Sequence, residues 1–83
     1  MNKAGREQFT LADLEPDQHA VITRVQGEGP LRRRLMDLGL ITGTPVTMER
    51  SAPLGDPLEV LVKGAHLSLR REEASAVQVK IDI

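Results

Sequence analysis

The hydropathy pattern of this chain leaves a two-residue period once along its length and then returns to it, and that excursion restricts the folds open to it. His19–Val25, Pro45–Arg50, Leu58–Val62, His66–Arg70 and Val77–Ile83 alternate with the two-residue period of a strand. In the first, Val21, Thr23 and Val25 share one face, and Ala20 and Ile22 share the other. Val46 and Met48 align in the second, and Leu58, Val60 and Val62 oppose Glu59 and Lys63 in the third. Leu67 and Leu69 then oppose His66, Ser68 and Arg70, and Val77, Val79, Ile81 and Ile83 oppose Gln78, Lys80 and Asp82. Only between the first two runs does the period lengthen. There Leu31, Leu35 and Leu38 fall at i, i+4 and i+7, after a Pro30 suited to a first helical turn and before a Gly39 suited to a C-cap.

Turn chemistry separates these elements. Glu15-Pro-Asp17, Gln26–Gly29, Leu40–Gly43 and Ala52–Pro57 are breaks, Gly64-Ala65 turns a hairpin, and Arg71–Ser75 suits one helical turn. Thr10–Asp13 can cap a short turn that presents Leu11 and Leu14 to the core. The spacing predicts a mainly β fold of five short antiparallel strands, with one short helix between the first and second. Five strands cannot shield both faces of a flat sheet, so they should curl into a small SH3-like or OB-like barrel. Residues 1–9 are expected to form a flexible N-terminal arm and residues 10–83 a single domain.

Length and composition limit what such a barrel can do. Eighty-three residues suit one thin core and no large internal cavity. The apolar share of 40% against 28% charged residues is that of a globular chain. No cysteine is present, which removes disulfides, thiolate metal sites and cysteine nucleophiles together. Residues 1–15 hold no apolar signal core, and no apolar run approaches the ~20 residues that span a bilayer. The expectation is a complete, soluble, cytoplasmic protein with no direct membrane insertion.

Catalytic patterns are missing from the sequence. Ser51, Ser68 and Ser75 lie in no G-x-S-x-G elbow, and no nucleophile is placed beside His19 or His66, so the chain is not expected to be an enzyme. Gly27-Glu-Gly29 precedes a helix, but Arg32 stands where a dinucleotide loop needs its third glycine. His19 and His66 are weak candidates for a divalent metal site, since 46 residues separate them and neither has a close-spaced ligand partner. No cofactor is expected beyond a possible weak divalent ion.

Arg32, Arg33 and Arg34 raise the question of nucleic acid. Eleven basic residues against twelve acidic ones and a single aromatic, Phe9, argue against it, because strand-binding barrels stack bases on aromatics over a basic surface. A solvated helix face, with an arginine paired to Asp37, accounts for the triplet. What remains is surface for a protein partner, with Met36 beside the leucine stripe and Leu54 in the Pro/Gly loop.

Three motifs in order carry a resemblance: Arg34-Leu-Met-Asp-Leu-Gly-Leu-Ile-Thr-Gly43, Ser51-Ala-Pro-Leu-Gly-Asp-Pro57, and Leu67-Ser-Leu-Arg-Arg71 with Glu73-Ala74. From about Leu11 to Val79 the chain resembles the FeoA family of small cytosolic proteins of bacterial ferrous iron uptake. The resemblance implies an SH3-like barrel with a helical insertion. It also implies an accessory or regulatory role, exerted through contact with FeoB, the membrane ferrous iron transporter. Pro16-Asp17 and Thr42-Gly43 stand where the family usually has Pro-Gly; Asp17 can take the left-handed conformation and Gly43 keeps its freedom.

Within those motifs, Leu35, Leu38 and Leu40 should anchor the helix to the barrel, and Asp56 should bond local backbone in its turn. The partner surface is expected at Leu31, Met36 and Leu54, with Arg33 and Arg34 on its rim. Two other readings stay open: a module that binds or senses ferrous iron directly, and a nucleic-acid-binding barrel. The last strand, ending in Ile81 and Ile83, could pair across an exposed edge in a homo-oligomer.

Overall fold

A computed structural model of the chain describes residues 9–81. It is mainly β, with elements in the order β1 (Phe9–Thr10), a 3-10 turn (Leu11–Asp13), β2 (His19–Val25), α1 (Gly29–Asp37), β3 (Pro45–Ser51), β4 (Leu58–Val62), β5 (Ala65–Leu69), α2 (Arg71–Ala74) and β6 (Val77–Ile81). The strands form one sheet in the order β1-β6-β2-β3-β4-β5, with every pairing antiparallel. The sheet curls on itself, because the inward residues of β2 to β6 all join a single buried cluster. Ala20, Ile22, Val46, Met48, Val60, Val62, Leu69, Val77 and Val79 are each 2% exposed or less.

The sheet has six strands rather than five. The additional strand, β1, pairs Phe9 with Val79 and Thr10 with Gln78, which is too short a run to show a period in the sequence. Its turn into the 3-10 segment is held by the Asp13 carboxylate, which accepts the Thr10 N–H at 2.8 Å and the Thr10 hydroxyl at 3.3 Å. Phe9 packs against the core, so the domain begins one residue earlier than the sequence suggests. The rest of the expected arm, like Ile83, lies outside the described residues.

Strict alternation misplaces one side chain. A register shift in β2 between Ile22 and Arg24 turns the strand, so Val25 joins Ala20 and Ile22 in the core while Val21 stays outside. Such a bulge adds a residue without a partner and inverts the faces beyond it. The β4–β5 turn is also one residue early: Lys63 and Gly64 carry φ values of 51° and 79°, the two left-handed residues of a tight hairpin. At the other end β6 lies between β1 and β2, leaving β1 and β5 as the sheet edges. Along Gln78 and Val79 the last strand is therefore not an exposed edge, while Ile83, at the end where a homo-oligomer contact was anticipated, lies outside the described residues.

The helix docks through two leucines rather than three. Gly39, at φ 100°, closes α1 by donating to the Met36 carbonyl, and Leu40 donates to the Leu35 carbonyl, as in a Schellman motif. This reversal swings Leu40 beside Leu35, and both are fully buried. Burying a leucine completely contributes roughly 1.5–3 kcal/mol, so this pair fixes the helix on the barrel. Leu31 is half-buried against the same cluster. Leu38, expected in the anchor, is 37% exposed because Leu40 occupies its place.

Candidate functional site

The residues expected to meet a partner fall on two sides of α1. Arg33 and Met36, one turn apart, line an open groove with Gly27 and Gly29 beneath the helix start. Arg32 beside them donates from Nε to the Val25 carbonyl at 3.3 Å, which ties the start of the helix to β2. Arg34 leaves the other side of the helix and pairs with Glu73 of α2 rather than with Asp37. Leu31 belongs largely to the core. Leu54 is 95% exposed at the tip of the β3–β4 loop and lines neither groove.

Arg34 enters a second cleft, lined also by Asp56, Pro57, Ser68, Arg70 and Glu73. Glu73 is nearly buried, and its two oxygens are both engaged: Oε1 accepts the Arg70 N–H at 2.9 Å and Oε2 accepts from Arg34. Asp56 Oδ1 accepts the Arg71 N–H at 3.0 Å. The expected local bond is thus replaced by one reaching 15 residues ahead, where the carboxylate caps the first turn of α2.

Sequence reasoning passed over Arg71, although it stands in one of the motifs that carry the resemblance. Its Nε donates to the Gly55 carbonyl at 2.9 Å and its Nη1 to the Ala12 carbonyl at 3.1 Å. One side chain therefore joins the β3–β4 loop, the 3-10 turn and α2. Gly55 answers two demands there, a φ of 84° and a position where a Cβ would lie 3.2 Å from Arg71 Nη2. Leu38 and Ile41, at 37% and 39% exposure, add apolar surface around the end of α1 that the sequence had assigned to packing or to a turn.

The two histidines lie on the outer face of the sheet and do not meet. Cross-strand partners run His19 to Thr47, Thr47 to Leu61 and Leu61 to His66, a row of three strand spacings or roughly 14 Å. His19 Nδ1 bonds the Thr47 hydroxyl at 2.8 Å. His66 Nδ1 bonds Glu49 Oε1 at 2.8 Å, and this hydrogen bond, followed by the carboxylate's charge, holds the imidazole pKa above its ordinary value. Among the described residues no group of three or more His, Asp or Glu side chains converges as an ion site. No helix there is long and apolar enough to cross a membrane.

These features define a small SH3-like barrel with a helical insertion, whose polar and charged groups line open surface clefts. The FeoA domain family model matches residues 9–81, and the chain belongs to the FeoA family. It is 37% identical over 71 residues to an Fe(2+) transport protein A/Fe(2+) transporter FeoB fusion protein of Porphyromonas gingivalis, covering 86% of this chain but only 8% of that much longer protein. Its fold is similar to a FeoA-like protein of Clostridium acetobutylicum, with a TM-score of 0.86 and 31% identity over 93% of this chain and 90% of that one. It is also similar to Stenotrophomonas maltophilia FeoA, described as a prokaryotic SH3 domain protein complexed with zinc. There the TM-score is 0.75 and the identity 35%, over 89% of each chain.

Proposed function

We propose that this chain is an accessory or regulatory protein of bacterial ferrous iron uptake, acting in the cytoplasm through contact with a FeoB-like transporter. The observation that carries this reading is the relative in which a homologous segment is fused to FeoB, because covalent fusion keeps two interacting domains at high effective concentration. Polar and charged groups that line open clefts beside α1 and the β3–β4 loop are consistent with this reading. The role needs neither catalysis nor a resident cofactor. Immobilised protein should retain a detergent-solubilised FeoB-like transporter, and failure to retain it would sink the reading.

A second reading, direct binding or sensing of ferrous iron, draws support from the zinc in the Stenotrophomonas maltophilia relative. Here it would have to work from His19 or His66 singly, with Thr47 or Glu49 alongside. Anaerobic titration with ferrous iron decides it: saturation at one equivalent, lost on His66→Ala or His19→Ala, favours the sensor over the adaptor.

A further inference from the structure

β5 (Ala65–Leu69) is a sheet edge with nothing built in to protect it. It pairs with β4 through all five residues without a register shift, and among the described residues no strand lies on its other side. Edge strands are ordinarily blunted by a proline, a bulge or a charge pointing inward. β5 has none of these: its inward residues are Ala65, Leu67 and Leu69, and the bulges sit in β2 and β3. Its inward side is also incompletely covered. Leu67 lies opposite the fully buried Val60 yet is only partly buried itself, and Ala65 is exposed.

The hairpin fixes which backbone groups of this edge are free. Its two-residue turn at Lys63-Gly64 makes Val62 and Ala65 the closing hydrogen-bonded pair, and bonded and non-bonded pairs alternate from there. Ala65, Leu67 and Leu69 therefore spend their N–H and C=O groups on β4, while those of His66 and Ser68 point outward. The free edge ends at Arg70, whose N–H goes to Glu73 Oε1 at 2.9 Å and whose C=O accepts the Ala74 N–H at 2.9 Å. Two donors and two acceptors remain, placed symmetrically about Leu67.

We propose that β5 pairs with β5 of a second copy of this chain, antiparallel about a two-fold axis at Leu67. Of the two-fold registers, only this one satisfies all four free groups, because each His66 comes opposite Ser68 of the other copy. An axis at His66 or at Ser68 satisfies two of the four. The first also opposes two imidazoles, and the second sets His66 against Arg70. With the axis at Leu67, each imidazole faces a hydroxyl with Glu59 next behind it in the row, and Arg70 comes opposite Gly64. The two Leu67 side chains meet on the inner face, where each covers the exposed side of the other. A strand of another protein would have to match this spacing of free groups; a second copy does so by symmetry. So short a seam belongs to the weak, transient class of interfaces, with a Kd on the order of 0.1–1 mM. None of the residues expected at the partner surface lies on β5, so self-pairing stands or falls apart from the adaptor reading.

The test is dilution of the isotope-labelled full-length protein from millimolar to micromolar concentration, followed by amide shifts and translational diffusion. His66, Leu67 and Ser68 should shift together with one midpoint, and diffusion should quicken on dilution. A mixture of labelled and unlabelled copies should show a cross-copy contact between the two Leu67 Hα protons, since a non-hydrogen-bonded pair brings its Cα atoms to about 4.5 Å. Ser68→Pro removes an N–H that β4 does not use, so it should leave the micromolar protein folded and weaken association at least about tenfold. Ser68→Lys keeps the backbone donor and sets a cation opposite His66. It should weaken association severalfold, and it decides the matter if the proline variant does not fold.

Diffusion that is independent of concentration overturns the proposal. So does a dimer whose shifts centre away from β5, or one that persists unchanged in the folded Ser68 variants. Protection of the His66 and Ser68 amides only when the FeoB-like transporter is added assigns the edge to a strand of that partner, and overturns the second copy as its occupant.

Discussion

Arg34 and Glu73, 39 positions apart in the chain, form the ion pair that joins α1 to α2. Glu73 is the constrained member: its side chain is 11% exposed against 56% for Arg34. Its second oxygen caps α2 through the Arg70 N–H. Glu73→Ala removes both interactions and leaves a backbone donor without its cap, at a cost of about 1–2 kcal/mol. For a domain of this size that corresponds to a fall in melting temperature on the order of 5–10 °C. Arg34→Ala should cost about 1 kcal/mol, being half in solvent. The double variant should lose less than the sum of the two, a coupling that thermal denaturation of all four proteins would reveal.

The Schellman closure of α1 yields a sharper contrast between neighbouring leucines. Leu35→Ala opens a cavity at a fully buried position beside Leu40 and should cost about 2–5 kcal/mol. Leu38→Ala acts on a side chain that Leu40 has displaced from the core and should stay within about 0.5 kcal/mol. Chemical denaturation of the two variants measures the difference. Equal losses would mean that the helix seats all three of its leucines.

Most of the barrel was legible because its code is local. Two-residue alternation marked the cores of five strands, and Pro30 and Gly39 bracketed the helix to within a residue. What escaped depends on partners far away in sequence. β1 is a strand only because Val79 and Gln78 accept it, and the bulge that buries Val25 is set by pairing with β6. Leu38 fitted the helical period as well as Leu35 did, and only the turn after Gly39 decides which leucine is covered. The candidate surface suffered in the same way. Arg34 could be placed on the helix, but its commitment to Glu73 and the stapling role of Arg71 are tertiary facts with no local signature.

His66 makes stability depend on pH in a defined direction. The Glu49 hydrogen bond and charge raise the folded pKa above the ordinary value, with desolvation opposing them and Glu59 adding the smallest push upward. A raised folded pKa means the protonated form is favoured in the native state. The stabilisation is fully present below the unfolded value near 6.5 and fades as pH rises through the folded one. Proton resonances of the imidazole should titrate above those of an unstructured histidine. Glu49→Gln should move that midpoint down, and an unchanged midpoint would show that the pair does not persist in solution.

Leu54 offers the cleanest separation of docking from folding. An apolar side chain 95% exposed at a loop tip contributes nothing to the core, and Leu54→Ser should leave the melting temperature unchanged. Met36, about a third exposed on the groove side of α1, should behave similarly as Met36→Gln. If the partner surface runs over the helix and the adjoining loop, either variant should weaken retention of the FeoB-like transporter severalfold, since each removes apolar area that the partner would bury. Arg33→Gln, on the groove rim, should act mainly through the association rate and lose its effect as salt is raised. Retention that survives Leu54→Ser and Met36→Gln together would move the contact off this face, toward Leu38 and Ile41 at the end of the helix.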